Sequence, residues 1–181
     1  MKQLTKVAMV LAVIGLFLFS CQKYAEVNDV TAQDSELKTG GDQFLQASGS
    51  TTQPIAGTVQ AILDQNDGSN GIELSGSAAT VKKAGNYFIV AAPQVLLGSS
   101  NATLTCWLQV NGADVPNSNV LLQTTVDIPF RDVIVSQGVI WLEKDDVVTV
   151  MVSGTGSVAL EAISPAGQPL VPSIIFTIFK M

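Results

Sequence analysis

The chain has 181 residues, 47% hydrophobic and only 13% charged, which is enough apolar material for one domain with a substantial core. Its formal net charge is −6, and its only arginine is Arg131. Phosphate binding needs clustered basic side chains, so nucleic acid is not expected as a partner. The sequence has no histidine, which removes the usual general base and zinc ligand, and it has no glycine-rich phosphate loop. Neither an enzyme nor a cofactor is therefore expected.

The first twenty residues have the features of a signal peptide. Lys2 and Lys6 give a positive start, and Val7 to Phe19 form an apolar run. At roughly 1.5 Å per residue, this run is too short for a helix that crosses a bilayer core of about 30 Å. It suits the hydrophobic region of a signal peptide instead. Its ending, Leu18-Phe19-Ser20-Cys21, resembles the lipobox of bacterial lipoproteins, which implies that Cys21 becomes the lipidated first residue of the mature chain.

The lipobox resemblance also implies a location. Lipidated Cys21 would carry diacylglyceryl and an N-linked acyl chain such as palmitate, and would anchor the protein in a membrane. Gln22 stands where many enteric-type bacteria place the aspartate that retains lipoproteins at the inner membrane, so the outer membrane is the favoured location. The alternative is an ordinary secretory signal that happens to end near a cysteine. Without Lys2 and Lys6 the mature chain has seven basic and 15 acidic residues, a net charge of −8.

Residues 21–54 are predicted to be a flexible tether. The segment is rich in Ser, Thr, Gln, Asp and Gly and lacks periodicity, so it buries too little apolar surface to offset the entropy lost on ordering. The alternative is that Gln43 to Ala47 form a first strand docked on the domain that follows.

Residues 55–181 show short apolar runs separated by turn signals, which is typical of a β-sandwich or barrel. The clearest alternation is in Thr103–Val110, where Leu104, Cys106, Leu108 and Val110 share one face. Asn111-Gly112 then predicts a tight hairpin, because both residues tolerate positive φ. Asn66–Gly71 is interpreted as a turn cluster. The strand candidates are Ile72–Leu74, Tyr87–Leu97, Thr103–Val110, Val120–Val126, Val133–Leu142, Val147–Val152, Val158–Ile163 and Ser173–Lys180.

Several of these segments resemble the TNF-like family, which includes the globular heads of the first complement component. They are the glycine before the aromatic strand at Gly85, the Asn111-Gly112 turn, Gly138–Leu142 before Asp146–Val150, and the closing strand Pro172–Lys180. The run from Asn111 to Pro116 is most similar to bacterial members, such as the heads of spore-coat collagen-like proteins. The resemblance implies an all-β, two-sheet antiparallel jelly-roll sandwich over residues 55–181, usually assembled as a trimer.

One residue departs from the family pattern. Asp145 stands where the family usually has glycine before the aspartate of an acidic turn. The geometry of that turn is therefore open.

Two sets of residues are candidates for chemistry. Cys106 alternates with core leucines, and it is predicted to be an inert buried thiol rather than a reactive one. Asp64, Asn66 and Asp67 lie in a glycine-containing loop with oxygen ligands of the type that calcium prefers. Their spacing does not match an EF-hand, so a solvated turn is the first interpretation and calcium binding is the alternative.

A homotrimer is predicted because several strands are apolar on both faces. A sandwich buries one face of each sheet, so large residues on the other face need a different cover. The alternatives are a monomer with scattered exposed hydrophobic residues, or a barrel covered by loops. The residues predicted to form the oligomer interface are Trp107, Trp141, Val147, Met151, Ile175 and Phe179.

Two classes of function follow from these features. One is a surface lipoprotein whose trimeric head binds a protein or glycan ligand, and the other is a purely structural lipoprotein of the envelope or coat. Glycan sites usually pair an exposed aromatic ring with carboxylates and amides. Since Tyr87, Trp107 and Trp141 all lie in predicted strands, the sequence argues weakly against sugar binding. A third class, a periplasmic hydrolase, is disfavoured by the absence of histidine, and Ser-Lys chemistry is the route that composition leaves open to it.

Overall fold

A computed structural model of the chain describes residues 43–125 and 129–181. All regular secondary structure in these two ranges is β, and every strand pairing there is antiparallel. The predicted signal peptide, Cys21 and most of the predicted tether lie outside the described residues. The described part contains no helix capable of crossing a membrane.

The strands are numbered in chain order. They are β1 (Phe44–Gly49), β2 (Gln53–Pro54), β3 (Gly57–Gln60), β4 (Gln65–Asn70), β5 (Ile72–Ser75), β6 (Ala78–Val81), β7 (Gly85–Leu97), β8 (Thr103–Val110), β9 (Ala113–Asp114), β10 (Val120–Gln123), β11 (Phe130–Val133), β12 (Ser136–Leu142), β13 (Val147–Thr155), β14 (Val158–Leu160) and β15 (Ile174–Lys180).

The strands form two sheets. The first has the order β2-β14-β7-β15-β1-β4, and the long strand β7 also pairs with β11 and β12. The second has the order β10-β8-β13-β6-β5, with β3 paired to β13 and β9 paired to β8. The first and last long strands, β1 and β15, are neighbours in one sheet, so residues far apart in sequence close the domain.

The core lies between the two sheets. Burial alternates strictly along β7: Tyr87 and Ile89 are fully buried, and Phe88 between them is partly exposed. β8 faces it from the second sheet with Leu104, Cys106 and Leu108, all wholly buried. This period of two is what a strand produces when one face packs on a core and the other faces outward. The fold class predicted from sequence, an all-β sandwich of two antiparallel sheets, is confirmed.

Two further strands have a fully inward set of large apolar residues. Val148, Val150 and Val152 of β13 point into the core, as do Ile174, Phe176 and Ile178 of β15. The strand Thr103–Val110 has the predicted bounds. In β13 and β15 the outward residues also include large apolar ones, so alternation alone does not decide which set is inward.

Two turns explain residues that the sequence singled out. Asn111 and Gly112 have φ of 51° and 79°, so the predicted tight hairpin forms between β8 and β9. Asp145 has φ of 68°, in the left-handed region that glycine enters without strain. The acidic turn therefore keeps the backbone geometry that favours glycine. The next residue, Asp146, stabilises the turn by accepting hydrogen bonds from Asn111 Nδ2 at 2.7 Å and Glu143 N at 2.8 Å.

The predicted domain boundary between residues 54 and 55 is wrong. Phe44–Gly49 forms β1, which pairs with both β15 and β4, and Leu45 and Ala47 are fully buried. The first-strand alternative is therefore the correct one. The composition of the segment did not reveal this strand, because Gln46 and Ser48 are polar and the residues on either side of the strand are largely polar as well.

The predicted turn cluster Asn66–Gly71 is also corrected. Gln65–Asn70 is the edge strand β4, and within the predicted cluster only Gly71, which follows the strand, has a positive φ, of 67°. An edge strand needs hydrogen bonds on one side only, so polar residues and glycine are tolerated there.

Three further predicted strands differ in extent. The predicted strand Val133–Leu142 starts only at Ser136, as β12, and Val133 is the last residue of β11. The strands β11 and β12 pair with the two halves of β7. Val120–Val126 ends at Gln123, and Val126 lies outside the described residues. Val158–Ile163 ends at Leu160, while Ile163 forms an isolated bridge with Val171.

Candidate binding surfaces

The outward side of the first sheet carries a group of large apolar residues that we call the aromatic face. Trp141, Ile175 and Phe179, three residues of the predicted interface, belong to it, with exposed fractions of 59%, 42% and 42%. The aromatic face comprises Phe44 of β1, Phe88 of β7, Val139 and Trp141 of β12, and Ile175 and Phe179 of β15.

Strand register brings four members of the aromatic face into one row. Phe44 is opposite Phe179, Phe179 is opposite Phe88, and Phe88 is opposite Val139. The rings of Phe88 and Phe179 have centroids 5.4 Å apart and a tilt of 54°, a favourable geometry for an aromatic pair. The row crosses four neighbouring strands, so it is a continuous apolar surface rather than a set of isolated side chains.

The strands under the aromatic face carry no charge at their outward positions. Among β1, β7, β12 and β15 the only charged residue is Lys180, whose alternation places it on the inward side, opposite Tyr87. Trp141 satisfies its indole N–H by donating to Glu143 Oε1 at 2.8 Å, just beyond the end of β12. An uncharged outer sheet face with aromatic residues has the composition that the buried centres of protein interfaces favour.

The other three residues of the predicted interface lie elsewhere. Trp107 is on β8, and Val147 and Met151 are on β13, so they point outward from the second sheet. Trp107 and Met151 are direct cross-strand neighbours. The six predicted residues therefore divide between two opposite outer faces of the sandwich and do not form one surface.

Trp107 lines a cavity on the outward side of the second sheet, which we call the Trp107 cavity. Its volume is about 320 Å³, at the small end of the range of about 300–1,000 Å³ that is usual for ligand sites. The residues that line it are Thr58, Thr105, Trp107, Asp114, Val115, Asn119 and Ser153.

A carboxylate holds the indole of Trp107. Trp107 Nε1 donates to Asp114 Oδ1 at 2.7 Å, and Gln109 Nε2 donates to the same oxygen at 2.8 Å. Both hydrogen bonds lower the pKa of this exposed carboxylate, and the one from Gln109 has the larger effect. Both bonds end on Oδ1, so Oδ2 remains as an acceptor for a ligand. The tight Asn111-Gly112 hairpin brings Asp114 back opposite Gln109, which places the carboxylate there.

Three hydroxyl groups form the floor of the cavity. Register aligns Thr58 of β3, Ser153 of β13 and Thr105 of β8 in one row. Thr58 Oγ1 donates to Ser153 Oγ at 3.0 Å, and Thr105 Oγ1 donates to the Ser153 carbonyl at 3.3 Å. Sequence analysis missed this row because its members come from three strands, although the alternation in β8 already placed Thr105 and Trp107 on the same face.

A second cavity, of about 540 Å³, lies at the border of the aromatic face. Ile175, Leu170 and Pro172 line its apolar side, and Gln46 and Asp67 are on its polar side. Because Ile175 belongs to both features, any partner seated on the aromatic face would also cover this cavity.

The calcium candidates are not arranged as a shared site. The Asp64 carboxylate accepts hydrogen bonds from Ser50 N and Ser50 Oγ, both at 2.7 Å. Desolvation by burial acts to raise the pKa of Asp64, but the hydrogen bonds to its carboxylate outweigh this effect and lower the pKa overall. Asn66 Oδ1 accepts a hydrogen bond from Gly68 N at 3.1 Å, within β4 itself. Asp67 is the extra residue of a bulge, where β4 shifts register against β1. The described residues contain no group of three or more His, Cys, Asp or Glu side chains placed to hold a metal ion.

Cys106 lies in the core, as predicted. Its side chain is wholly buried, and burial raises the pKa of its thiol to about 12. The thiolate, which is the reactive form, is therefore suppressed at neutral pH.

Comparison with known proteins identifies the fold. No protein-family model matches the sequence, and no curated protein matches it. Among solved structures, the domain is similar to murine APRIL at pH 5.0, with a TM-score of 0.56 and 16% identity over 77% of this chain and 99% of that one. Murine APRIL at pH 8.5 gives a TM-score of 0.52 over the same shares of the two chains. The fold is a TNF-like jelly roll. This agrees with the family resemblance seen in the sequence.

Proposed function

We propose that this protein is a non-enzymatic lipoprotein of the bacterial cell envelope, whose TNF-like head assembles as a homotrimer and recognises a protein or glycan ligand. The observation that carries the proposal is the aromatic face, an uncharged, apolar outer surface crossing four strands. A patch of this kind on a soluble domain marks an interaction surface.

The partner that best fits the aromatic face is a further copy of the same chain. The mature chain has a net charge of −8, so two copies repel wherever acidic surfaces meet, and the aromatic face is the part of the first sheet free of that repulsion. Half-exposed aromatic rings at such a face gain about 25 cal/mol for each Å² buried. The sequence resemblance to the TNF-like family implies three copies.

The anchor and the trimer together suit recognition. Lipidated Cys21 would hold the protein at the outer membrane, and residues 22–42 would connect it to the domain. Three equal binding sites on one trimer raise the strength of attachment to a repetitive surface without new contacts. A purely structural lipoprotein of the envelope has the same anchor and assembly but needs no ligand cavity, so the Trp107 cavity favours recognition.

Light scattering of the chain from Gln22 to Met181 tests the assembly. This chain keeps the whole two-sheet domain and lacks only the predicted signal and anchor. We expect a trimer mass for the unmodified chain and a shift toward monomer for Trp141→Asp and Phe179→Asp, with circular dichroism unchanged. Leu121→Asp is the matched control, because Leu121 is 61% exposed but lies on β10 of the other sheet. A monomer at micromolar concentration in the unmodified chain would falsify the trimer.

Metabolic labelling with a fatty-acid analogue tests the anchor. The full chain should be labelled, while Cys21→Ser should not be, and should be recovered in the soluble fraction. Equal labelling of both chains would contradict lipidation at Cys21.

A further inference from the structure

We propose that the Trp107 cavity binds a neutral saccharide, one hexose or N-acetylhexosamine unit for each protomer. This deepens the recognition function proposed above and rests on it only for the biological role, because one protomer supplies every residue of the cavity. The proposal reverses the expectation from sequence, which argued weakly against sugar binding because the aromatic rings lie in strands. In the structure Trp107 lies in a strand but on its outward side, where it is only partly buried and lines the cavity.

Trp107 gives the apolar half of the site. A pyranose ring presents C–H groups on one face, and these pack on the face of an aromatic ring, with an indole offering the largest area. The hydrogen bond from Trp107 Nε1 to Asp114 Oδ1 fixes the edge of the indole, so its orientation is set before a ligand arrives. A preorganised ring loses less entropy on binding than a free one.

The polar half of the site lies beside the ring. Asp114 Oδ2 is an open acceptor, and a carboxylate makes stronger hydrogen bonds with hydroxyl groups than a neutral acceptor does. The exposed side-chain amide of Asn119 makes no hydrogen bond to another side chain or backbone group in the described part of the chain, so both its donor and its acceptor are available. The hydroxyls of Thr58, Thr105 and Ser153 complete the floor.

Charge selects the class of sugar. Asp114 is an exposed carboxylate and is ionised at neutral pH, and its hydrogen bonds from Gln109 and Trp107 lower its pKa further. The cavity-lining residues contain no lysine or arginine to balance a sulfate or carboxylate on a ligand. Sulfated and sialylated sugars are therefore repelled, and a neutral sugar is favoured.

The location of the cavity is compatible with the proposed assembly. It lies on the outward side of the second sheet, whereas the aromatic face lies on the outward side of the first. A trimer formed through the aromatic face leaves the three cavities open to solvent. Single-sugar sites of this size are weak, and three of them gain strength through simultaneous attachment.

The chain carries its own optical probe for the test. Its two tryptophans are Trp107 and Trp141, so Trp141→Phe leaves Trp107 as the only tryptophan. We would titrate residues 22–181 carrying Trp141→Phe with galactose, glucose, mannose, N-acetylglucosamine, lactose and chitobiose, and with sialyllactose as the charged comparison. We expect a saturable change in Trp107 emission for at least one neutral sugar, with half-saturation on the order of 1 mM. Sialyllactose should give none.

Two variants link the signal to the cavity. Asn119→Ala and Asp114→Ala should each weaken binding by about tenfold or more, which corresponds to about 1.4 kcal/mol. Asp67→Ala is the matched control, because Asp67 is an exposed carboxylate on β4 of the other sheet, and it should leave the midpoint unchanged. Asp114→Ala also removes the hydrogen-bond acceptor of the Trp107 indole, and this can change the fluorescence by itself. Isothermal calorimetry therefore measures the midpoint independently of fluorescence.

Two outcomes would overturn the saccharide site. One is the absence of a saturable change with every neutral sugar up to about 100 mM, far above the expected range. The other is a change whose midpoint is the same in Asn119→Ala and Asp114→Ala as in the parent. Binding is measured for each protomer, so a monomeric chain that binds sugar would contradict only the trimer, and a trimer that binds no sugar would contradict only this site.

Discussion

The buried thiol of Cys106 links the stability of the core to pH. It lies in the middle of β8 between Leu104 and Leu108, and no part of its side chain reaches solvent. Burial raises its pKa to about 12, whereas an unfolded chain exposes a thiol with a pKa of about 8.5. Because the folded pKa is the higher one, the thiol stabilises the fold fully below the unfolded pKa, and this contribution is lost as pH rises toward 12.

We therefore expect alkaline pH to weaken the fold through Cys106. Near pH 10 the loss from this group is about 2 kcal/mol relative to pH 7, since each pKa unit corresponds to about 1.4 kcal/mol. Denaturant unfolding of residues 22–181 and of Cys106→Ala measures this between about pH 7 and pH 11. The variant starts less stable because it leaves a cavity, but its free energy of unfolding should fall less steeply. Parallel pH profiles would contradict the assignment.

The strand β1 shows that a short element with an inconspicuous sequence can be essential. It lies between β15 and β4, and its inward residues Leu45 and Ala47 are fully buried. Its entry point is fixed by Gln43, whose side-chain oxygen accepts a hydrogen bond from Lys83 N at 3.1 Å and lies 2.5 Å from the Tyr87 hydroxyl. The domain therefore begins at this strand.

Truncation on either side of β1 tests this. Residues 41–181 form one compact unit and should fold. Residues 55–181, the domain first predicted from sequence, should not, because removal of β1 exposes one edge of β15 and opens the core. Near-ultraviolet circular dichroism and thermal melting compare the two chains. A cooperative melt of residues 55–181 within a few degrees of the longer chain would show that β1 is dispensable.

A single substitution gives a milder form of the same test. Leu45→Ala should lower the free energy of unfolding by about 2–5 kcal/mol, because it leaves a cavity in a packed core. Gln46→Ala, at the next and outward position, should have little effect.

At the scale of the whole molecule, the sandwich presents two different outer faces. One is the uncharged aromatic face, and the other carries the polar Trp107 cavity. This division is suited to a molecule that assembles through one sheet and presents the other to a ligand.

The absence of charge on the aromatic face predicts how assembly depends on salt. An interface of this kind contains no ion pairs to screen, while the acidic remainder of each protomer repels its neighbours. Raising sodium chloride from about 10 mM to about 1 M, which shortens the Debye length from about 30 Å to about 3 Å, should therefore leave the assembly intact or strengthen it. Sedimentation velocity of residues 22–181 measures this. Dissociation at high salt would instead indicate an interface held by ion pairs.

The sequence by itself determined the local features of this protein. Alternation in β8 placed Leu104, Cys106 and Leu108 together on the inward face, because the side-chain period of a strand is a local property. Asn111-Gly112 gave a correct turn for the same reason. The all-β class followed from many such short strands, and the two-sheet sandwich was implied by the resemblance to the TNF-like family.

Only the tertiary structure decided which outward residues share a surface. Alternation shows that Trp107 and Trp141 both point away from the core, but not that they belong to different sheets. Phe44 and Phe179 meet because β1 pairs with β15, and Thr58 joins Thr105 because both strands pair with β13. Pairings between such distant segments depend on the packing of the whole chain, since closing each long loop costs entropy that only the completed core repays.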